Sequence, residues 1–226
     1  MQETWQKYVA EFIATFAFVF ICAGAALANW QTGGALGAFG MAAASGLMLT
    51  AMYYGIYKIS GGHLNPAVTI ALFATGHIKA AVAGGYIVAQ LLGSTLAALF
   101  LKIIFADVSP KFYLGDVAVS SGVSPWMAIL IEAVLAFMLV WTYFATIVDK
   151  KQESQLGGVM IGIVLAVSIM IAGHLTSGAL NPARSFGPAL ISSHWENHYV
   201  YWVGPIVGAL MAAFVYSFGF MKKHLG

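Results

Sequence analysis

Residues 63–69 read His-Leu-Asn-Pro-Ala-Val-Thr and residues 179–185 read Ala-Leu-Asn-Pro-Ala-Arg-Ser. A shared Leu-Asn-Pro-Ala core thus starts at Leu64 and again at Leu180, 116 residues later. Asparagine caps a helix start by accepting orphan N–H groups, and proline is pre-set for the first helical position. Each copy predicts a short helix with its positive dipole end at Asn65 or Asn181. The chemistry on offer is hydrogen bonding. Asn65 and Asn181 supply amide donors. The non-helical lead-ins supply two ladders of carbonyl acceptors, from Gly61, Gly62, His63 and Leu64 and from Ser177, Gly178, Ala179 and Leu180. Donors and acceptors in line make a track for a small neutral molecule such as water. Two positive helix ends meeting would oppose cations and protons, and Arg184, three residues after Asn181, adds a fixed charge. Ser177 and His174 are close in sequence, but no acidic partner or metal cluster accompanies them. No enzyme activity and no cofactor are expected.

Composition says what solvent must surround these helices. Hydrophobic residues make up 61% of the 226 and charged residues 8%, against roughly a quarter charged in a soluble domain. So few charges cannot cover a water-facing surface, so lipid is expected around most of the exterior. The net charge of +2 gives no indication of a nucleic-acid partner. The single cysteine, Cys22, excludes an internal disulfide and reads as a small buried packing residue.

Apolar runs predict six full spans, at 8–28, 35–57, 80–105, 125–148, 156–175 and 199–221. The first run carries Glu11 and has a counterpart in the second half, so it reads as a retained helix rather than a signal peptide. Two further runs, 65–75 and 181–192, are too short to cross roughly 30 Å of hydrocarbon at about 1.5 Å per residue. Three spans and one half-length insert, given twice, form an internal repeat over about 1–115 and 116–226 within a single channel domain spanning 1–226. Gly84, Gly85, Gly93, Gly204 and Gly208 are expected to let helices pack closely.

An odd number of spans per repeat forces the halves to insert with opposite topology, so the two half-helices enter from opposite faces and meet near the middle. Lys7, Lys58, Lys79, Lys150, Lys151, Lys222 and Lys223 fall on one side, and Lys102, Lys111 and Arg184 on the other. That excess predicts both termini in the cytoplasm; the expected location is the plasma (inner) membrane, as a multi-pass protein. Trp5, Tyr8, Trp126 and Tyr199 fall at span ends, where aromatic belts form.

The doubled Asn-Pro-Ala, the Ser-Gly-Gly-His lead-in at 60–63 and the Arg-Ser at 184–185 resemble the aquaporin (major intrinsic protein) family. Glu11, within Ala10-Glu11-Phe12, and Glu132 resemble that family's paired buried glutamates. The resemblance spans essentially the whole chain. It implies an all-α membrane protein, six tilted helices plus two half-helices around one pore, in a homotetramer. It also implies that Asn65, Pro66, Ala67, Asn181, Pro182 and Ala183 line the pore, and that Glu11 and Glu132 accept N–H groups from the loops before the half-helices. A proton-relay role for the glutamates is the transporter alternative.

Counting without gaps from the asparagines, the family's four filter positions are Ser45, Ile169, Gly178 and Arg184. A strict water channel usually has an aromatic residue at the first and histidine at the second. Serine and isoleucine here predict a wider, less polar opening that still repels cations. This filter resembles those of nodulin-26-like and bacterial relatives that pass metalloid acids, and less closely those passing ammonia or peroxide; small polyols are a further candidate. Ser185, where glycerol facilitators carry aspartate, together with Ala189 and the Tyr201-Trp202 pair, is similar to water-channel types, so a strictly water-selective pore stays open as the alternative. Cys22 is at none of the four positions, so mercurials are expected to block weakly. A secondary transporter and a structural tetramer are the remoter classes, distinguished by flux against a gradient and by absence of flux.

Overall fold

The computed structural model describes residues 4–108 and 112–221. Lys111, Lys222 and Lys223, used above for the orientation, lie outside the described residues. The first half consists of α1 (Thr4–Gln31), α2 (Gly37–Ser60), the short α3 (Pro66–Ala74) and α4 (Ala80–Ile104). A 3-10 turn, Tyr113–Gly115, leads into the second half. There α5 (Pro125–Tyr143) widens into a π turn over Phe144–Val148, followed by α6 (Gly157–Thr176), the short α7 (Pro182–Ser192) and α8 (Val200–Gly219).

Six of these helices are long and apolar enough to cross a membrane, and α3 and α7 are not among them. Phe39, Leu47, Ile103, Trp126 and Phe218 are each at least two-thirds exposed. Side chains of that kind on an outer surface call for hydrocarbon rather than water.

The two halves pack alike. α1 lies along α4 as α5 lies along α8, while α2 crosses from one half to α6 of the other. The half-helices cross over too: α3 packs on α8 and α7 on α4. Small residues allow these approaches. A side chain on Gly93 would strike the Phe12 carbonyl on α1, and one on Gly208 would strike the Ala133 carbonyl on α5. Gly46 and Gly162 meet reciprocally, each against the other's carbonyl, where α2 crosses α6. Gly85 faces Tyr8 and Gly204 faces Glu132, but Gly84 meets nothing among the described residues of this chain.

Candidate functional site

Asn65 and Asn181 each cap a half-helix as their sequence context requires. Asn65 accepts the Ala67 N–H at 2.8 Å, and Asn181 accepts the Ala183 N–H at 2.9 Å. Pro66 and Pro182 occupy the first helical positions. The amide ends then reach across the repeat: Asn65 Nδ2 donates to the Leu180 carbonyl and Asn181 Nδ2 to the Leu64 carbonyl, both at 2.9 Å. Each asparagine nitrogen carries two hydrogens. One is used in this exchange, and one is left to meet a molecule in the centre.

The exchange requires an unusual backbone. Leu64 and Leu180 have φ of 52° and 53°, in the left-handed region that side-chain-bearing residues avoid at a cost of order 1–3 kcal/mol. Two fully buried glutamates hold them there. Glu11 accepts from the His63 and Leu64 N–H groups at 2.9 and 2.7 Å, from Ser60 Oγ at 2.6 Å and from Gln90 Nε2 at 2.9 Å. Glu132 accepts from the Ala179 and Leu180 N–H groups at 3.0 and 2.8 Å, and from Thr176 Oγ1 at 2.7 Å. The bonded residues match across the repeat, 60 with 176, 63 with 179 and 64 with 180. Buried acceptors of this kind satisfy loop N–H groups that have no helix partner.

Two abutting cavities run through this region. The outer, of about 350 Å³, is lined by Ser45, Ile169, Gly178 and Arg184, together with Phe18, Cys22, Asp116 and His174 among others. The four positions counted from the asparagines therefore meet at one place. α2 runs unbroken through Ser45, so no bulge shifts its register. The inner cavity, of about 20 Å³, is lined by Asn65, Asn181, Leu180, His63 and Tyr143 with apolar Leu49, Val68, Leu139 and Ile161. That is room for about one water. Phe18, Leu165 and Ala179 line both cavities and join them.

Arg184 is nine-tenths buried. Its Nη2 donates to the Gly115 carbonyl at 2.7 Å, while Nη1 has no partner among the described residues. His63 packs its ring against Tyr86, 4.8 Å between centroids, and its Nδ1 meets Thr69 Oγ1 at 3.0 Å. The Gly61 carbonyl accepts the Tyr143 hydroxyl at 2.7 Å. Ala183 lies beside α4, its carbonyl accepting the Ser94 hydroxyl, and Ala67 is fully buried under the Asn65 cap. The Ser177 hydroxyl lies at the outer rim, paired with Ala118.

Cys22 is buried as expected, and its place in the fold adds a second feature. It lines the outer cavity, with its thiol in hydrogen-bond reach of Ser45 and close to Arg184. Counting positions from the asparagines could not find it, because that count runs along α2, α6 and α7 and never reaches α1. Asp116 was likewise passed over as part of a polar link.

Residues 1–216 match the family described as major intrinsic protein. The chain belongs to that family. It is similar to "Aquaporin TIP4-4" of Zea mays, 40% identical over 95% of this chain and 86% of that protein. It is also similar to "Aquaporin TIP1-2" of Zea mays, 41% identical over 98% of this chain and 89% of that protein. The fold matches the X-ray structure of the aquaglyceroporin from Plasmodium falciparum with a TM-score of 0.82, at 23% identity over 95% of this chain and 96% of that one. A major intrinsic protein is a passive multi-pass membrane channel for water or small solutes and not an enzyme, and this chain is one.

Proposed function

We propose that this major intrinsic protein conducts water together with small uncharged solutes, such as metalloid acids, ammonia, peroxide or small polyols, and excludes ions and protons. The observation that carries the reading is the meeting of Ser45, Ile169, Gly178 and Arg184 on one outer cavity of about 350 Å³. Serine and glycine leave space on two sides of that opening, and isoleucine replaces a polar wall with an apolar one. Arg184 keeps a positive charge in the path, and the Asn-capped starts of α3 and α7 put two further positive ends at the centre. Cations thus meet a barrier that neutral molecules do not.

In this reading Asn65 and Asn181 each offer one N–H to the passing molecule. The carbonyls of Gly62, His63, Ser177, Gly178 and Ala179 offer acceptors, while those of Gly61, Leu64 and Leu180 are already engaged. Glu11 and Glu132 hold the two loops in shape. The single channel domain, repeated about residue 115, assembles as a homotetramer in the plasma (inner) membrane, with both termini cytoplasmic. The lysines at positions 58, 79, 150 and 151 on the termini's side support that orientation.

Proteoliposome permeability tests the reading. Water, glycerol, boric acid and ammonia should each enter faster than through empty vesicles, while the pH and potassium gradients hold. If water passes and every neutral solute is refused, the pore is strictly water-selective. Native mass spectrometry of the detergent-solubilised protein checks the tetramer, and a monomer would contradict it.

A further inference from the structure

The Gly115 carbonyl that receives Arg184 stands in a strained turn. Tyr113, Leu114 and Gly115 have φ of 44°, 57° and 66°, and two of the three bear side chains that disfavour that region. The turn is fastened by the next residue. Asp116 Oδ1 accepts its neighbour Val117's N–H at 2.8 Å, and Oδ2 sits 3.0 Å from His194 Nδ1. The Tyr113 ring stacks on His194, 4.1 Å between centroids and 13° from parallel. His194 follows the C-terminal end of α7, the helix that carries Arg184. A closed circuit results, from Arg184 to Gly115, on to Asp116, across to His194 and back along α7.

We propose that Asp116 and His194 form a positioning pair for conduction, holding the Gly115 carbonyl against Arg184 and so setting how far the guanidinium projects into the solute path. The inference rests on the channel reading given above. With Asp116 ionised, the turn is fastened and Arg184 is drawn to the wall. With Asp116 protonated, the charge-assisted bond to His194 weakens, the turn loosens, and Arg184 enters the opening.

The groups facing Asp116 bear on when that happens. Arg184 approaches from α7, His194 from beyond its end, Tyr113 from the same turn, and the buried Tyr201 from α8. His174 of α6 lines the same cavity. α1 brings Phe18, Cys22, Ala26 and Asn29 to that cavity, with no carboxylate or basic group among them, and Lys102 of α4 is exposed. Burial is the largest influence and pushes the Asp116 carboxyl up to about 6, against the pull of His194 and Arg184 toward lower values. The carboxylate therefore gains its proton within the mildly acidic range.

Stopped-flow water permeability of proteoliposomes, taken between about pH 8 and about pH 5, tests the pair. In the wild type, permeability should fall roughly three- to tenfold on acidification, with a midpoint near 6. Asp116→Asn has no charge to titrate there and should give a flat profile. His194→Phe keeps a ring against Tyr113 but cannot bond Asp116, and should stay low across the range. A flat wild-type profile, or an unchanged titration in Asp116→Asn, overturns the proposal. A wild type impermeable to water at every pH fails the channel reading instead.

Discussion

The Asn65 side-chain amide donates to the Leu180 carbonyl at 2.9 Å, across 115 residues of chain. Its mirror image runs from Asn181 to Leu64 at the same distance. These two bonds tie the half-helix starts together beside the small inner cavity. Each bond uses one of the two hydrogens on its asparagine nitrogen.

The glutamates that hold those loops are a first point of test. Replacing Glu132 by Gln puts an N–H₂ where the Ala179, Leu180 and Thr176 donors now find acceptors. Each buried donor left unpaired costs about 1–3 kcal/mol. Thermal unfolding in detergent should show a clear loss of stability. Glu11→Gln should do the same at the other loop, where Gln90 adds a fourth donor. Unfolding curves that overlay the wild type would contradict the bracing role.

Cys22 offers a chemical probe. Its thiol borders the outer cavity beside Ser45, so methylmercury bonded to the sulfur, with release of the thiol proton, would fill part of that cavity. Water flux should fall on treatment and recover with excess thiol reductant, and Cys22→Ser should be resistant. Equal inhibition of both proteins would place the reactive site elsewhere.

Helix contacts can be tested with a matched pair of substitutions. Gly208→Ala drives a methyl into the Ala133 carbonyl, whereas Gly84→Ala meets open space. The first should destabilise by about 1–3 kcal/mol, as overpacking does. The second should be neutral or slightly stabilising, since alanine favours helix over glycine. Similar melting temperatures for the two variants would contradict the packing described here.

Arg184 should carry the ion barrier. Arg184→Val removes the fixed charge and frees the Gly115 carbonyl to bind a cation. Potassium or proton leak, followed with dyes in proteoliposomes, should rise while water flux persists. Tight membranes with Arg184→Val would assign ion exclusion to the helix dipoles alone.

Much of this architecture was legible because the signals are local. Asn-Pro marks a helix start wherever it occurs, and span length separates full helices from half-helices, so α3 and α7 were found to within a residue or two. The positions counted from the asparagines met at one cavity because α2 and α6 are continuous around them. That Cys22 also borders the outer cavity was hidden for a physical reason. A helix in lipid is apolar all round, so periodicity cannot say which face of α1 meets the pore. Asp116 and His194 were invisible for another reason. Their partnership spans 78 residues between irregular segments, where no period or motif links the two. Gly84 was grouped with the packing glycines because sequence shows that a residue is small, not what stands opposite.

The widened outer opening is tested most directly by comparing wild type with Ser45→Phe in proteoliposomes, following water and boric acid uptake by stopped-flow. A phenyl ring at position 45 would take up part of the outer cavity that Arg184 also lines. The wild type should pass both molecules, and Ser45→Phe should keep most of its water flux while losing boric acid. Refusal of boric acid and every other neutral solute by the unmodified protein would contradict the account.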